Sequence, residues 1–362
     1  MSLWTYLKSF WTQDSQKLLM RPIPADHVRV DPPITPMTNK AKCTYVRLRL
    51  AEMFLTKQTD WGVQWYPAVH SLVQFQMGDQ TVEIPNIADT SRIGGQKTDR
   101  GDIIARNFVL TPAVPFNGGL MELSAGLIAI KGANYFETGL KTLGNFAALL
   151  NVPQVSSMLE LAQPLASGIQ DIMSGGDGHL HLSIHDSYQA GQLQAGYIAA
   201  IRAKEADLKQ VQLWVVDGEL REGTSLEVGK NEPFTRFDHM VFRVDIFEER
   251  DDWESLSPIW NPFQQALDDL ADPSTETRAL SFLRMAQSAA RKSADLTIAD
   301  RRRVPAALQE LFDQAKNQQG RAGLMAKQSL GVTRTVKSVM SAEQAAAKGE
   351  PSLEEVFAGR FG

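Results

Sequence analysis

The sequence predicts an α+β protein. An antiparallel, β-sandwich-like domain carries a helical insertion, and a small α-helical domain and a tethered C-terminal tail follow it. Three observations predict this. Between residues 43 and 247, apolar and polar residues alternate in short runs, the period-two signature of half-buried strands. Turn-forming residues separate these runs at short intervals, which favours antiparallel neighbours over parallel strand–helix–strand units. After residue 255 the apolar spacing changes to about 3.6 and good helix formers dominate.

The N-terminal part, 1–40, opens on an amphipathic segment. Trp4, Leu7, Phe10 and Trp11 fall on one face of a helix over residues 2–11. Tryptophan suits half-wet surfaces, so this face is expected to touch a partner or a membrane. Residues 21–40 hold Pro22, Pro24, Pro32, Pro33 and Pro36 and read as an extended linker, because proline lacks the amide donor that regular pairing needs.

A β-rich domain is expected over 41–250. Residues 43–55 (CTYVRLRLAEMFL) alternate, and 71–76 with 81–84 read as a hairpin. A further strand is expected at 103–110 and another at 119–131. Residues 134–176 carry two apolar helical patterns and form the expected insertion. Strands resume at 179–187, 194–201, 211–216, 225–228 and 239–247, the last (HMVFRVDIF) being the clearest. The charged run 248–254 (EERDDWE) reads as a solvated segment.

An α-helical domain is expected over 255–317, with helices at 262–270, 273–293 and 298–317. Asp272-Pro273 suits a helix start, and Thr297–Asp300 has the spacing of a capping box. From 318 to 362 the composition turns poor in large apolar residues and reads as a flexible tail. Its end is amphipathic again: Leu353, Val356, Phe357 and Phe361 share one helical face, the form of a docking peptide.

Composition narrows function. The formal net charge of −5 gives no general attraction to nucleic acid, and the one dense basic run is Arg301–Arg303. Cys43 is the single cysteine, so neither an internal disulfide nor a cysteine-based metal site can form within the chain. With no secretory leader pattern and no apolar run of about 18 residues, a cytoplasmic location is expected.

The sharpest candidate chemistry lies in residues 178–187 (GHLHLSIHDS). Strict alternation would place His179, His181, Ser183 and His185 on one strand face, with Leu180, Leu182 and Ile184 on the buried one. His179 and His181 are the candidate metal ligands, because imidazoles two apart on a strand project together and suit Zn²⁺. His185 lies about 13 Å further along and cannot share the same ion on a straight strand. The nucleophile-elbow and phosphate-loop patterns are missing, and Cys43 sits in a strand pattern, so no catalytic residue and no cofactor are assigned.

The expected function is that of a non-enzymatic interaction or assembly component of a cytosolic multiprotein system, of bacterial style. Protein partners or self-association are expected, without nucleic acid. Two alternatives stand beside it. One is a membrane-acting or pore-forming protein using its apolar helices, residues 142–159 included. The other is a metal-dependent enzyme using His179 and His181.

Overall fold

The computed structural model describes residues 19–40, 43–56, 59–60, 63–77, 80–89, 108–116, 118–131, 178–227, 229–250, 252–270 and 272–321. The N-terminal amphipathic face, the insertion at 134–176 and the segment 322–362 lie outside them. The fold is α+β, with mostly antiparallel sheets and three α-helices among the described residues. The chain divides into two compact units. One is Met1–Arg250 with Ala294–Asp300, and the other is Asp251–Ser293 with Arg301–Gly362.

Among its described residues the first unit holds three sheets. Its first sheet runs β1 (Leu19–Ile23), β11 (Gly196–Ile201), β15 (His239–Phe247), β3 (Tyr45–Phe54) and β7 (Phe108–Val109), with β8 (Val114–Pro115) also paired to β3. Every pairing in it is antiparallel. The second sheet runs β10 (Gly178–Gln189), β9 (Leu120–Lys131), β5 (Val63–Met77) and β4 (Thr59–Asp60), and β6 (Gln80–Asp89) pairs with β5. The third runs β14 (Asn231–Pro233), β13 (Glu219–Gly223), β12 (Leu213–Val216) and β2 (Val28–Arg29), the last pair being parallel.

Alternation assigns each side chain to a core. Val46, Leu48, Leu50, Phe242, Val244 and Ile198 of the first sheet share one apolar cluster with Val69, Val73, Leu123, Leu127, Leu182 and Ile184 of the second. The opposite face of the first sheet supplies Ala51, Tyr197, Ala199, Ile201 and Val241 to another cluster, with Leu213, Val215 and Leu220 of the third sheet and Phe234 just beyond it. The first sheet is therefore covered on both faces along part of its length. Strand β11 reads as an almost unbroken apolar run (GYIAAI) for that reason. Each fully buried Leu, Val, Ile or Phe contributes about 1.5–3 kcal/mol of transfer free energy, so these two clusters dominate the stability of the unit.

Several expectations change. The linker begins as structure: residues 19–23 form edge strand β1, where Pro22 is tolerated because an edge leaves some amides unpaired. Residues 225–227 of the strand expected at 225–228 are a loop, and residue 228 lies outside the described residues. The Asn231 side-chain amide donates to the carbonyls of Ser225 (2.7 Å) and Glu227 (3.2 Å), closing a turn ahead of β14. Cys43 precedes β3 and is exposed. The run 248–254 is not uniformly solvated. Arg250 is fully buried, and its guanidinium donates to the carbonyls of Ala113 and Asp295.

The second unit contains α1 (Ser257–Leu270), α2 (Glu276–Lys292) and most of α3 (Asp300–Arg321). Each helix buries one stripe: Ile259, Phe263, Ala266 and Leu270; Ala279, Leu283, Ala286 and Ala290; Val304, Leu308, Phe312 and Ala315. Spacings of three or four residues between members keep each stripe on one face. The alanines of α2 let neighbouring elements approach closely. Asp272 caps the turn ahead of α2, accepting from the Ser274 amide at 2.8 Å, with Pro273 behind it.

Candidate functional site

Strand β10 forms as expected, but its histidines do not share a face. The register against β9 slips between Leu180 and Leu182, so His181 is an extra residue in a β-bulge. Before the bulge, His179 lies opposite Ala129, which belongs to the core face, and Leu180 lies opposite Ile128 on the other face. After it, Leu182 and Ile184 enter the core, while Ser183 and His185 lie opposite Gly126 and Ser124. The expected single row of four is thus split, and Leu180 joins Ala68, Ile128 and Ile130 on the outer face. Strict alternation cannot survive an inserted residue.

The bulge aims His181 at Asp238, the residue before β15. His181 Nδ1 lies 3.1 Å from Asp238 Oδ2. The other carboxylate oxygen accepts from the Thr56 amide and hydroxyl, both at 2.7 Å, and Arg202 Nη1 stands 3.6 Å from Oδ2. The Asp238 side chain is 6% exposed and that of His181 25%. Burial alone would raise the Asp238 carboxyl. The hydrogen bonds from His181 and Thr56 outweigh burial and hold it well below the usual carboxylate range. His179 is exposed, with its ring 5.0 Å from that of Trp65.

The outer face of the second sheet carries a second polar group. Ser124 Oγ and His185 Nδ1 are hydrogen-bonded at 2.8 Å. One row further along the strands, the His70 ring lies over Gly126, where a Cβ would come within 2.2 Å of its Cε1. Burial lowers the His70 imidazole to about 4, so it is neutral at physiological pH. The Ser124–His185 pair lacks the setting for acyl transfer. Ser124 is fully buried in the middle of β9, which is paired on both sides, so its neighbouring amides are committed to ladders rather than aimed at an oxyanion.

A third group sits in the core between the first and third sheets. Glu52 Oε2 accepts from the Leu220 amide at 2.6 Å and lies 3.4 Å from His239 Nε2. His239 Nδ1 is 2.9 Å from the Phe237 carbonyl, which can only accept, so Nδ1 carries a proton. Nε2 and the Glu52 oxygen then face each other as two acceptors unless one further proton lies between them. Burial is the largest influence on Glu52 and raises its carboxyl, against the opposing pull of His239 and the Leu220 amide. The pair is walled by the rings of Phe54 and Phe234.

On the same face of the first sheet, Arg49 and Arg243 lie directly opposite each other and each gives Nε to a different oxygen of Asp245, at 2.6 Å. Arg47 stands over the Phe247 ring at 5.3 Å. A cleft of about 270 Å³ is lined by Val28, Arg29, Val30, Pro33, Ile34 and neighbouring residues. Its one cationic side chain, Arg29, donates to the Leu226 carbonyl.

Of the residues singled out in the sequence, His179 lies before the bulge beside Trp65, and His181 is the bulged residue that pairs with Asp238. Trp4, Leu7, Phe10, Trp11, Leu353, Val356, Phe357 and Phe361 lie outside the described residues. Sequence reading missed Asp238, Thr56, Glu52 and His239, whose partners are remote in the chain. The one local signal was Asp238-His239 at the mouth of the strongest strand pattern.

The class these features define is an α+β protein with mostly antiparallel sheets and polar side chains paired across its strands. Comparison with protein-family models, with curated proteins and with solved structures gave no match. Among the described residues, no group of three or more His, Cys, Asp or Glu could hold a metal ion, and no helix is long and apolar enough to cross a membrane.

Proposed function

We propose that this chain is a non-enzymatic interaction component, a β-sandwich-like body that joins partners in a larger assembly. The observation that carries the reading is strand β10. It pairs with β9 over 178–189, and among the described residues no strand pairs with its other edge. Twelve residues of edge offer a row of main-chain donors and acceptors, the template used in strand addition. The contrast with β6, the other long edge of that sheet, supports it. Strand β6 carries Pro85 in its middle and Glu83 two residues before it, devices that blunt an edge, whereas β10 contains neither proline nor lysine and pairs regularly over 182–189, beyond its bulge at His181.

The chemistry-bearing side chains fit the same reading. Asp238, Glu52, Ser124 and Asp245 each accept or share bonds that tie one strand to another. The test is recovery of the tagged full chain from its native cell beside a variant with Ser187→Lys and Gln189→Lys, both exposed on β10. Lysines on an edge oppose strand addition. Partners held by the unaltered chain and lost from the variant support the reading. Identical partners in both contradict strand addition at β10, and a chain recovered alone contradicts the assembly role. Recovery with membranes favours the membrane-acting alternative.

A further inference from the structure

We propose that the cleft beside Arg29 binds a small amphiphilic monocarboxylate, an apolar body of about eight to ten carbons bearing one carboxylate. This binding is independent of edge pairing at β10, since cleft and ligand concern the isolated chain.

The cleft follows from the topology. Strand β1 pairs with β11 in the first sheet as far as Ile23 opposite Tyr197, whereas the next strand, β2, belongs to the third sheet. The chain therefore leaves one sheet for another across residues 24–27, and Gly196, at the start of β11, has no β1 residue opposite it. The proline-bearing segment then returns to β11: Thr38 bridges to Gln194, and the Met37 carbonyl accepts from the Ala195 amide at 2.8 Å. On the other side β2 is fixed to β12, and the Arg29 carbonyl accepts from the Asp217 amide at 2.8 Å. Main-chain bonds hold both walls, so the cleft is formed before any ligand arrives.

Its lining sets the body of the ligand. Val28, Val30 and Ile34 are partly buried and pack against the core cluster shared by the first and third sheets, which gives an apolar floor. Pro33 and Pro36 bring no amide donor, and their rings restrict the backbone of that wall. At the far end, a Cβ on Gly196 would meet no atom beyond its chain neighbours within 4 Å, so the space there is open. An apolar cavity of about 150 Å³ holds a benzene ring. The volume of about 270 Å³ therefore suits a ligand of about ten heavy atoms.

Arg29 sets the head group. It is the one charged residue in the lining, and it is exposed. Its Nη1 donates to the Leu226 carbonyl at 3.2 Å, a neutral partner that steadies the guanidinium without neutralising it. A guanidinium has five N–H donors in a planar fork, the complement of a carboxylate. Among the described residues no carboxylate pairs with Arg29, and one guanidinium neutralises one carboxylate. The formal net charge of −5 opposes anions in general, so a preference for a carboxylate must be local to this residue.

The experiment is calorimetric titration of the full chain with octanoate, with octan-1-ol, octylamine and acetate as comparison ligands. Three variants accompany it: Arg29→Gln, Arg29→Lys and Ala25→Trp. Both positions are exposed and line the cleft, and far-UV circular dichroism confirms the fold of each variant. The expected result is one octanoate per chain with a dissociation constant below about 1 mM, and octylamine and acetate at least about tenfold weaker. Arg29→Gln should weaken octanoate at least about tenfold and leave octan-1-ol unchanged. Arg29→Lys should restore most of the octanoate affinity, and Ala25→Trp should weaken octanoate and octan-1-ol alike. The proposal is overturned by no saturable binding up to about 10 mM octanoate, or by octylamine binding as tightly as octanoate. It is equally overturned by octanoate affinity that survives Arg29→Gln or Ala25→Trp, or by an equal loss of octanoate and octan-1-ol in Arg29→Gln.

Discussion

Tyr45 and Asp300 stand 255 residues apart in the chain, and the tyrosine hydroxyl donates to the Asp300 carboxylate at 2.7 Å. The same hydroxyl accepts from the Thr297 amide at 2.9 Å. Thr297 Oγ1 accepts from the Asp300 amide, as the capping-box spacing predicts, but the reciprocal half is rerouted: Asp300 bonds Tyr45 and the Arg250 amide instead of the Thr297 amide. Tyr45 is thus inserted into the start of α3. It binds the short segment Ala294–Asp300 to strand β3 inside the first unit.

Tyr45→Phe removes both bonds while keeping the ring. The Thr297 amide and one lobe of a buried carboxylate lose a partner, which should cost about 1–3 kcal/mol. Denaturant unfolding of the first-unit transition checks this. Burial, foremost, pushes the Tyr45 phenol above its ordinary value. Its contribution is present at neutral pH and falls as pH rises past the unfolded phenol value near 10, because the unfolded state loses its proton first. Tyr45→Phe should flatten that alkaline slope.

The proton between Glu52 and His239 makes an asymmetric prediction. Glu52→Gln keeps an oxygen for the Leu220 amide, but that same oxygen faces His239 Nε2 with no proton to share, so stability at pH 7 should fall by about 1–3 kcal/mol. Glu52→Leu leaves the Leu220 amide without its 2.6 Å bond and should cost about 1–3 kcal/mol more. The raised Glu52 carboxyl stabilises the fold below its unfolded value and loses that contribution as pH rises through its folded value. The glutamine variant should lack this slope, and a slope unchanged in it would contradict the shared proton.

His70 makes the protein acid-sensitive. Its folded value near 4 lies below the ordinary 6.5, so between those two values the unfolded chain binds a proton that the folded chain refuses. Stability should fall by roughly 3 kcal/mol as pH drops from 6.5 to 4. His70→Phe should remove that component, as read from unfolding at a series of pH values. Gly126→Ala places a methyl against the His70 ring and should cost about 1–3 kcal/mol. Combined with His70→Ala, much of that cost should disappear, and strict additivity in the double-mutant cycle would show that the two do not touch.

Deleting residues 352–362 should remove a partner without altering the unfolding transition, if Leu353, Val356, Phe357 and Phe361 form a docking face. Loss of thermal stability instead would mean that the segment packs on its own chain.

Much of the strand pattern was legible because burial and alternation coincide. Met240, Phe242, Val244 and Ile246 all face one core, and the strand expected at 239–247 forms over His239–Phe247. What stayed hidden has particular causes. Strand β1 was obscured by Pro22, which reads as a linker unless the strand is known to lie at an edge. Asn231 holds residues 225–227 in a loop through its side chain, a choice that β-propensity does not register. The bulge at His181 depends on pairing with β9 and leaves no trace in the alternation itself. Asp238 with Thr56, Tyr45 with Asp300 and Glu52 with Leu220 are separated by 182, 255 and 168 residues. Only the fold brings such pairs together, so the candidate site was half visible: its histidines could be read, and their carboxylate could not.

The most direct test of an assembly role through β10 is amide hydrogen exchange over residues 178–189, in the isolated chain and in the assembly recovered with it. Slower exchange is expected in the assembly at the amides that point away from β9, with the β5 and β9 amides unchanged. Exchange in β10 that is the same in both states, or a chain recovered with no partner, would contradict it.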